Sequence, residues 1–461
     1  MRSAFTVANV SSRALRALNY SPEVDAFRSK AKVRRSRRLG DLVADNSLSY
    51  GGRVDAMDCD SSYGVEFLSQ SDMFSAEPHG RMVRRDLLPN DGRRIRKWQV
   101  LIAGAGTLGE AELYGRSVLA DARLEGRYAC GDALALTFRE PNSSFSLFTY
   151  GFLSTKTGIR CLRSTSYGTK ILRFRPDLLA DLPVPCGSDT AIDRVATCMR
   201  TAVENRELYA EEMKRARQII ENVPGYSEAL SMCAVRVARV LVWHEELTTL
   251  GAWNYASTGG ALRFLRQRWK QRLRDLIEPG GLFNGVRFVR IPCEVPFGID
   301  LLSQRDVFLI RGISKRIKHP GLDDKMLFVP GHAILLGSHG QLTEGSLFGR
   351  AESAASCGVR SAITQDILRI IPLREYSEIL LAFLSTSLGS ALLRSTAVGT
   401  SVPTMHLELL NQLPIPELSG PLSTAVKRHV SAAIASRVRS NSAEAEGVRI
   451  VEEEILPEWL S

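Results

Sequence analysis

Apolar residues along this chain follow two periods. Short runs at Val100-Leu-Ile102, Ala133-Leu-Ala-Leu136, Ile334-Leu-Leu336 and Ile367-Leu-Arg-Ile-Ile371 lie between Gly, Asn, Asp and Ser and predict strands. Each strand-bearing segment closes on Leu-Pro-x-Pro, at Leu182 to Pro185 and at Leu413 to Pro416, where proline stops a helix or a central strand. After the first stop the period changes. Ile192, Val195, Met199, Ala202, Tyr209, Met213, Ala216 and Ile220 recur in alternating steps of three and four once Arg206 is passed over, the seam spacing of paired helices. Residues 188–222 therefore predict a helix about 50 Å long, ended by Pro224-Gly225. After the second stop, Leu422, Val426, Val430, Ala433, Ile434 and Val438 predict a second helix with a weaker heptad, and the two helices are expected to pack on each other. Between them, residues 226–250 carry an apolar helical stretch, Ala234-Val-Arg-Val-Ala-Arg-Val-Leu-Val-Trp243.

The two periods alternate because the chain is duplicated. Gly64-Val-Glu-Phe-Leu-Ser-Gln-Ser-Asp-Met-Phe74 returns as Gly298-Ile-Asp-Leu-Leu-Ser-Gln-Arg-Asp-Val-Phe308, 234 residues on, from 64 to 298. Leu39-Gly-Asp-Leu-Val43 and Leu113-Tyr-Gly-Arg116 return at the same offset, as Leu273-Arg-Asp-Leu-Ile277 and Leu347-Phe-Gly-Arg350. The offset then slips to 231, with Phe152-Leu-Ser-Thr155 at Phe383-Leu-Ser-Thr386, Gly168-Thr169 at Gly399-Thr400, and the two Leu-Pro-x-Pro stops. Ala17-Leu-Asn-Tyr20 also has a counterpart in Ala252-Trp-Asn-Tyr255, so the Arg/Ser-rich start is expected to join the folded repeat rather than act as a targeting segment. The period is far above that of solenoids, so whole domains are repeated. Two copies of one site are expected.

Composition narrows the partner. The 461 residues are 44% hydrophobic and 24% charged, and no apolar run reaches a membrane span. A net charge of +10 favours a polyanion, nucleic acid first. The eight cysteines are scattered without a Cys-x-x-Cys pair, which fits a reducing cytoplasm and offers no zinc spacing.

Candidate chemistry is sparse. Gly104-Ala-Gly106-Thr-Leu-Gly109 matches a dinucleotide fingerprint, yet its counterpart Ser338-His-Gly340-Gln-Leu-Thr343 keeps one glycine of three, so a tight turn after a strand is expected. Neither His332 nor His339 recurs in the other half, and no metal site is expected. No methyltransferase tetrapeptide, P-loop or nuclease cluster is present, so catalysis is not expected in this chain. Basic residues recur instead. Arg81 and Arg84 align with Lys315 and Lys318, Arg93, Arg94, Arg96 and Lys97 add charge in the first half, and Arg34, Arg35, Arg37 and Arg38 lie at the place that matches Arg263, Arg266, Arg268, Lys270, Arg272 and Arg274. Ser69-Gln70 and Ser303-Gln304 are placed either to hydrogen-bond bases and phosphates or to cap local turns.

The ordered set of Gly-[Val/Ile]-x-x-Leu-Ser-Gln-x-Asp-[Met/Val]-Phe, Phe-Leu-Ser-Thr, Gly-Thr, Leu-Pro-[Val/Ile]-Pro and a long helix resembles the specificity (S) subunit of type I restriction–modification systems. The stretch Gly399-Thr-Ser-Val-Pro-Thr-Met-His-Leu-Glu-Leu-Leu-Asn-Gln-Leu-Pro-Ile-Pro416 is similar to the end of that family's target-recognition domain, and the resemblance covers nearly the whole chain. It implies an α+β, internally duplicated fold with two mixed α/β target-recognition domains separated by two long paired helices. The expected segments are 1–187 and 251–418 for the two domains, 188–250 for the first long helix and its connecting helix, and 419–461 for the C-terminal helix.

The implied function is non-catalytic. The chain would read a bipartite site on double-stranded DNA, in a restriction–modification or related methylation-based phage-defence complex. It would dock two adenine methyltransferase subunits, and through them a restriction or helicase subunit, in a bacterial or archaeal cytoplasm. S-adenosylmethionine would sit on the methyltransferase and no cofactor on this chain. The candidate DNA-contacting residues are Ser69, Gln70, Arg81, Arg84, Thr169, Ser303, Gln304, Lys315, Lys318 and Thr400. Two other classes stay open, a duplicated stand-alone nucleic-acid-modifying enzyme and a scaffold that does not read DNA.

Overall fold

The computed structural model describes residues 17–461 except 53, 55, 90–92, 110, 235–247, 257, 343–344 and 358–360. The apolar stretch expected at 234–243 lies, from 235 on, outside the described residues. The chain falls into two compact units, one of residues up to Glu207 with Arg439–Ser461, the other Leu208–Val438. Each long helix has residues in both units. Helix Asp189–Glu221 gives its first part to unit 1 and the rest to unit 2, and helix Gly420–Arg449 does the reverse.

In unit 1 the apolar run Val100–Ala103 is the middle strand of a sheet, antiparallel to Ser117–Leu119 on one side and Ala133–Leu136 on the other. All four of its residues are buried, which explains an unbroken apolar run where alternation would mark a half-exposed strand. A second sheet has Gly64–Leu68 between Arg81–Arg84, antiparallel, and Tyr128–Ala129, parallel. A third joins Ala105–Gly106, Leu172–Phe174 and Ser166–Tyr167. The fingerprint-like glycines thus serve a strand and turn, as expected. The Leu-Pro-x-Pro stop has an added role. Pro183–Pro185 is a short strand on Ser36–Arg38, a two-stranded pairing that tolerates proline, and the long helix starts only at Asp189.

Helices Ser144–Leu153 and Lys156–Arg163 pack behind the first sheet. Their junction explains one repeated motif. Thr155 accepts a hydrogen bond from Gly158 N at 2.9 Å, capping the second helix, and a Cβ on Gly158 would strike the carbonyl oxygen of Phe152. In unit 2, Thr386 accepts from Gly389 N at 3.0 Å, and a Cβ on Gly389 would strike Phe383 O.

Unit 2 repeats the registers of unit 1. Ile334–Gly337 lies between Ala351–Ser353 and Ile367–Pro372, and Ile299–Leu302 between Lys315–Ile317 and Ala362–Ile363. Ala397–Val398 pairs with Thr404–Met405, which bridges His339 as Leu172–Phe174 meets Ala105–Gly106. One strand is new. Ile277–Asn284 adds a fourth strand to Ile367–Pro372, with a bulge between Ile277 and Leu282. Under it Arg369, the counterpart of Ala135, is fully buried and donates to Ile367 O at 2.6 Å and Ile363 O at 2.7 Å. Burial lowers its guanidinium to about 10.

The seam residues Ile192, Val195, Met199, Ala202, Tyr209, Met213, Ala216 and Ile220 are all buried. In unit 1 the seam packs against the chain's own C-terminal segment, running antiparallel. Ser440 Oγ donates to Ala202 O at 2.8 Å, and Gly447 leaves room for Met199, whose Cε would lie 2.5 Å from a Cβ there. That segment continues through one π-helical stretch, Ile450–Ile455, to Trp459, whose indole donates to Arg35 O at 2.9 Å and packs on Phe27. In unit 2, Glu212 and His429 Nδ1 pair at 2.6 Å between the two helices. The fold is thus α+β and internally duplicated, and each unit contains a pair of long helical segments. Among the described residues no single helix is long and apolar enough to cross a membrane.

Candidate nucleic-acid interface

The repeated Ser-Gln-x-Asp segment turns inward. Ser69 N donates to Asp72 Oδ2 at 2.8 Å, and Ser303 N and Asp306 form the same reciprocal cap at 3.0 Å. Gln70 reaches across to the main chain of residue 105, donating to Ala105 O at 2.7 Å and accepting from Ala105 N at 3.0 Å. Gln304 donates to His339 O at 2.7 Å and accepts from Ser338 N and His339 N, each at 3.1 Å. A bidentate amide of this kind would suit an adenine edge. Here it ties the end of one strand to the main chain at the equivalent position in both units, Ala105 and His339. Of the two roles the sequence left open for these residues, the geometry favours local structure.

The basic candidates lie elsewhere, on the outer strand of the second sheet. Arg81 and Lys315 occupy the same register, opposite Phe67 and Leu301, and both are exposed. Arg84 and Lys318 follow at the strand's end, also exposed. The units differ in what faces them. Arg81 pairs with Asp58 at 3.3 Å, and Arg84 holds Asp86 through two bonds of 3.1 and 2.6 Å. The hydrogen bond from Arg84 keeps the Asp86 carboxyl below its usual pKa. The counterparts of Asp58 and Asp86 are Pro292 and Pro320. Among the described residues Lys315 and Lys318 have no ion-pair partner, so of the two basic strands that of unit 2 presents the less compensated charge.

Thr169 and Thr400 stand at exposed hairpin tips. Each follows a glycine in the left-handed region, Gly168 at φ 96° and Gly399 at φ 98°, which only glycine adopts without strain. The sequence difference between the two tips, Lys170-Ile171 against Ser401-Val402, leaves this turn unchanged and keeps an apolar residue exposed at Ile171 and Val402. Several other basic residues work inside the fold. Arg93 is buried over the Tyr128 ring, Lys97 pairs with Glu207 at 2.7 Å, and Arg272 donates to Trp269 O at 2.6 Å.

Three features escaped the sequence pattern. Arg206, passed over in the heptad, is fully buried and pairs with Glu444, which also accepts from the Tyr150 hydroxyl. Burial opposes the charge of Arg206, but the Glu444 carboxylate outweighs it and holds the guanidinium above its usual pKa. The fourth strand of unit 2 carried no alternation to reveal it. The third is an exposed aromatic beside each basic strand, Tyr63 and Phe297, on turns whose flanking cysteine and glycine recur as Cys59 and Gly64, Cys293 and Gly298. That repeated frame was the available signal. In unit 1 the turn borders a cavity of about 660 Å³ lined by Cys59, Asp60, Ser62, Arg84, Arg85 and Asp86. Among the described residues no three His, Cys, Asp or Glu side chains converge as metal ligands would.

No family model and no curated protein matches the chain. Among solved structures it is similar to the S subunit of a type I restriction-modification system from M. genitalium, at 13% identity, covering 92% of this chain and 94% of that one, with a TM-score of 0.32. The HsdS subunit from Thermoanaerobacter tengcongensis is similar at 14% identity, over 92% and 96% of the two chains, with a TM-score of 0.25. A chain from a study of assembly and conformational transition of the type I R-M system is similar at 14% identity, over 92% and 97%, with a TM-score of 0.26.

Proposed function

We propose that this chain is the DNA-specificity subunit of a type I restriction–modification or related methylation-based defence complex. It reads a split site on double-stranded DNA, one half with each unit. The observation that carries this reading is the recurrence of one exposed basic strand at one register in two units, Arg81 and Arg84 in the first, Lys315 and Lys318 in the second. Phosphate neutralisation at such strands gives affinity and register, and base discrimination comes from neighbouring tips. Thr169 and Thr400, on paired glycine turns, are the candidates for that second role.

Recognition alone is assigned to this chain. Adenine methylation is the work of methyltransferase subunits that bring S-adenosylmethionine, with a restriction or helicase subunit joining through them. The complex acts in a bacterial or archaeal cytoplasm. Segments 1–187 and 251–418 are the two readers, and the long helices are the docking elements for partners. Because the apolar seam faces the chain's own C-terminal segment, docking is assigned to the helices' exposed faces.

The test is long-read methylation mapping of the native host with and without this gene. Loss of a single split adenine-methylated motif is the expected result. An unchanged methylome, in a host whose methyltransferase is expressed and active, would count against it.

A further inference from the structure

An exposed aromatic side chain is ordinary when it stands alone. Here it stands twice at one place. Tyr63 is 75% exposed and Phe297, 234 residues on, is 73% exposed. Each closes a tight turn, Tyr63 N donating to Asp60 O at 3.1 Å and Phe297 N to Glu294 O at 3.0 Å. The residues inside the turns differ, Ser61-Ser62 against Val295-Pro296, while the aromatic persists.

The turn is held rigidly. Cys59 N bonds Met82 O at 3.1 Å and Cys293 N bonds Arg316 O at 3.2 Å, so each turn is pinned to the basic outer strand. The following glycine allows that approach. A Cβ on Gly64 would meet Met82 and Cys59, and one on Gly298 would meet Ile317 O and Cys293. A guanidinium then clamps the turn's carbonyls, Arg85 on Gly64 O at 3.0 Å and Arg316 on Phe297 O at 2.8 Å. An exposed apolar residue precedes each turn on the pinned segment, Met57 in unit 1 and Ile291 in unit 2.

We propose that Tyr63 and Phe297 are the stacking residues of the two units, each laid against a base of its own half of the DNA site. This rests on the DNA-reading function proposed above. In a duplex both faces of a base are already stacked, so a rigid ring reaches one by wedging into a base step while neighbouring cations hold the backbone. Charge favours DNA over a protein partner at Phe297, where Lys315 and Lys318 at the neighbouring strand have no ion-pair partner among the described residues; beside Tyr63 the cations Arg81 and Arg84 are paired with Asp58 and Asp86.

The experiment uses the full chain assembled with its methyltransferase and a randomised library of duplex DNA, from which bound molecules are selected and sequenced. Wild type yields a split motif. Tyr63→Ala is expected to blur one half and Phe297→Ala the other, each lowering affinity for the wild-type motif about tenfold. Tyr63→Phe is expected to retain its half. The exposure of both rings predicts unchanged thermal unfolding. A wild-type split motif that survives intact in both alanine variants would overturn the stacking role and leave the DNA-reading function standing. Absence of any wild-type motif would overturn both. Loss of the methyltransferase from Tyr63→Ala during purification would make the ring a protein contact and overturn the proposal.

Discussion

Arg206 and Arg437 stand 231 residues apart at the same place in the duplicated chain, and each is buried to 1% exposure against a carboxylate that the other unit lacks. Arg206 pairs with Glu444 of the C-terminal helix, whose counterpart is Met213. Arg437 pairs with Glu352 of strand Ala351–Ser353, whose counterpart is Val118, and also donates to Leu309 O at 2.7 Å. One cation has been kept and its anion supplied from different elements, because a buried guanidinium left alone is costly while the pair itself need not stabilise.

Arg206→Ala is therefore expected to destabilise unit 1 by ~3–5 kcal/mol, leaving the buried Glu444 carboxylate without its counter-charge. Replacing both Arg206 and Glu444 by methionine should recover most of that loss. Hydrogen exchange resolves it by region, with faster exchange in helix Ser144–Leu153 and unchanged exchange in Ile334–Gly337. Equal protection in the single variant would remove the pair from the account.

Gly447 and Met199 form a steric pair. Gly447→Ala is expected to cost ~1–3 kcal/mol by overpacking, since its Cβ would meet Met199 Cε at 2.5 Å and Cys198 Cβ at 3.1 Å. In a Met199→Ala background the same change should cost much less. Denaturant melts of the four chains give the coupling directly, and additivity would show that the contact is not shared.

Gln70→Ala and Gln304→Ala distinguish a brace from a reader. Each leaves main-chain groups of a neighbouring strand unpaired, at a cost of ~1–3 kcal/mol. Stability should fall while the preferred DNA bases stay the same. A changed base preference with unchanged stability would return these residues to the recognition surface.

Of the two basic strands, that of unit 2 carries Lys315 and Lys318 with no ion-pair partner among the described residues, whereas Arg81 and Arg84 of unit 1 are paired. Lys315→Ala and Lys318→Ala should each reduce the slope of log affinity against log salt by about 0.9. Arg84→Ala should change it less, because Asp86 already holds that guanidinium. Asp86→Asn should release Arg84 and steepen the slope. A salt titration of DNA binding by the assembled complex measures all four.

Thiol chemistry follows burial. Burial pushes Cys161 and Cys357 up to about 12. Only the thiolate reacts, so Cys161, which is buried, should remain unalkylated at pH 8 in the folded chain and gain reactivity only as pH approaches that value or the unit unfolds. Mass spectrometry after maleimide treatment checks this. Rapid labelling of Cys161 at pH 8 would contradict the packing around it.

Much of this architecture was legible because duplication supplies its own control. The four apolar runs at 100, 133, 334 and 367 are all strands. The helix expected at 188–222 is Asp189–Glu221. What periodicity missed was set by tertiary partners. Arg206 breaks the apolar seam and is legible only once Glu444 is beside it. Strand Ile277–Asn284 contains Pro279, Gly280 and Gly281 and bends through a bulge, so no alternation announces it. The Ser-Gln pair has two uses in sequence and one set of partners in the fold. Tyr63 and Phe297 lie in turns too short to carry any period.

The most direct test of two independent readers is a segment exchange. Residues 273–418 would be replaced by the equivalent segment of a homologue with a different recognition motif, and the methylome of the resulting strain mapped. The expected result is a hybrid split motif in which one half changes and the other half and the modified base stay the same. A motif altered in both halves, or in neither, would contradict the assignment of one half-site to each unit.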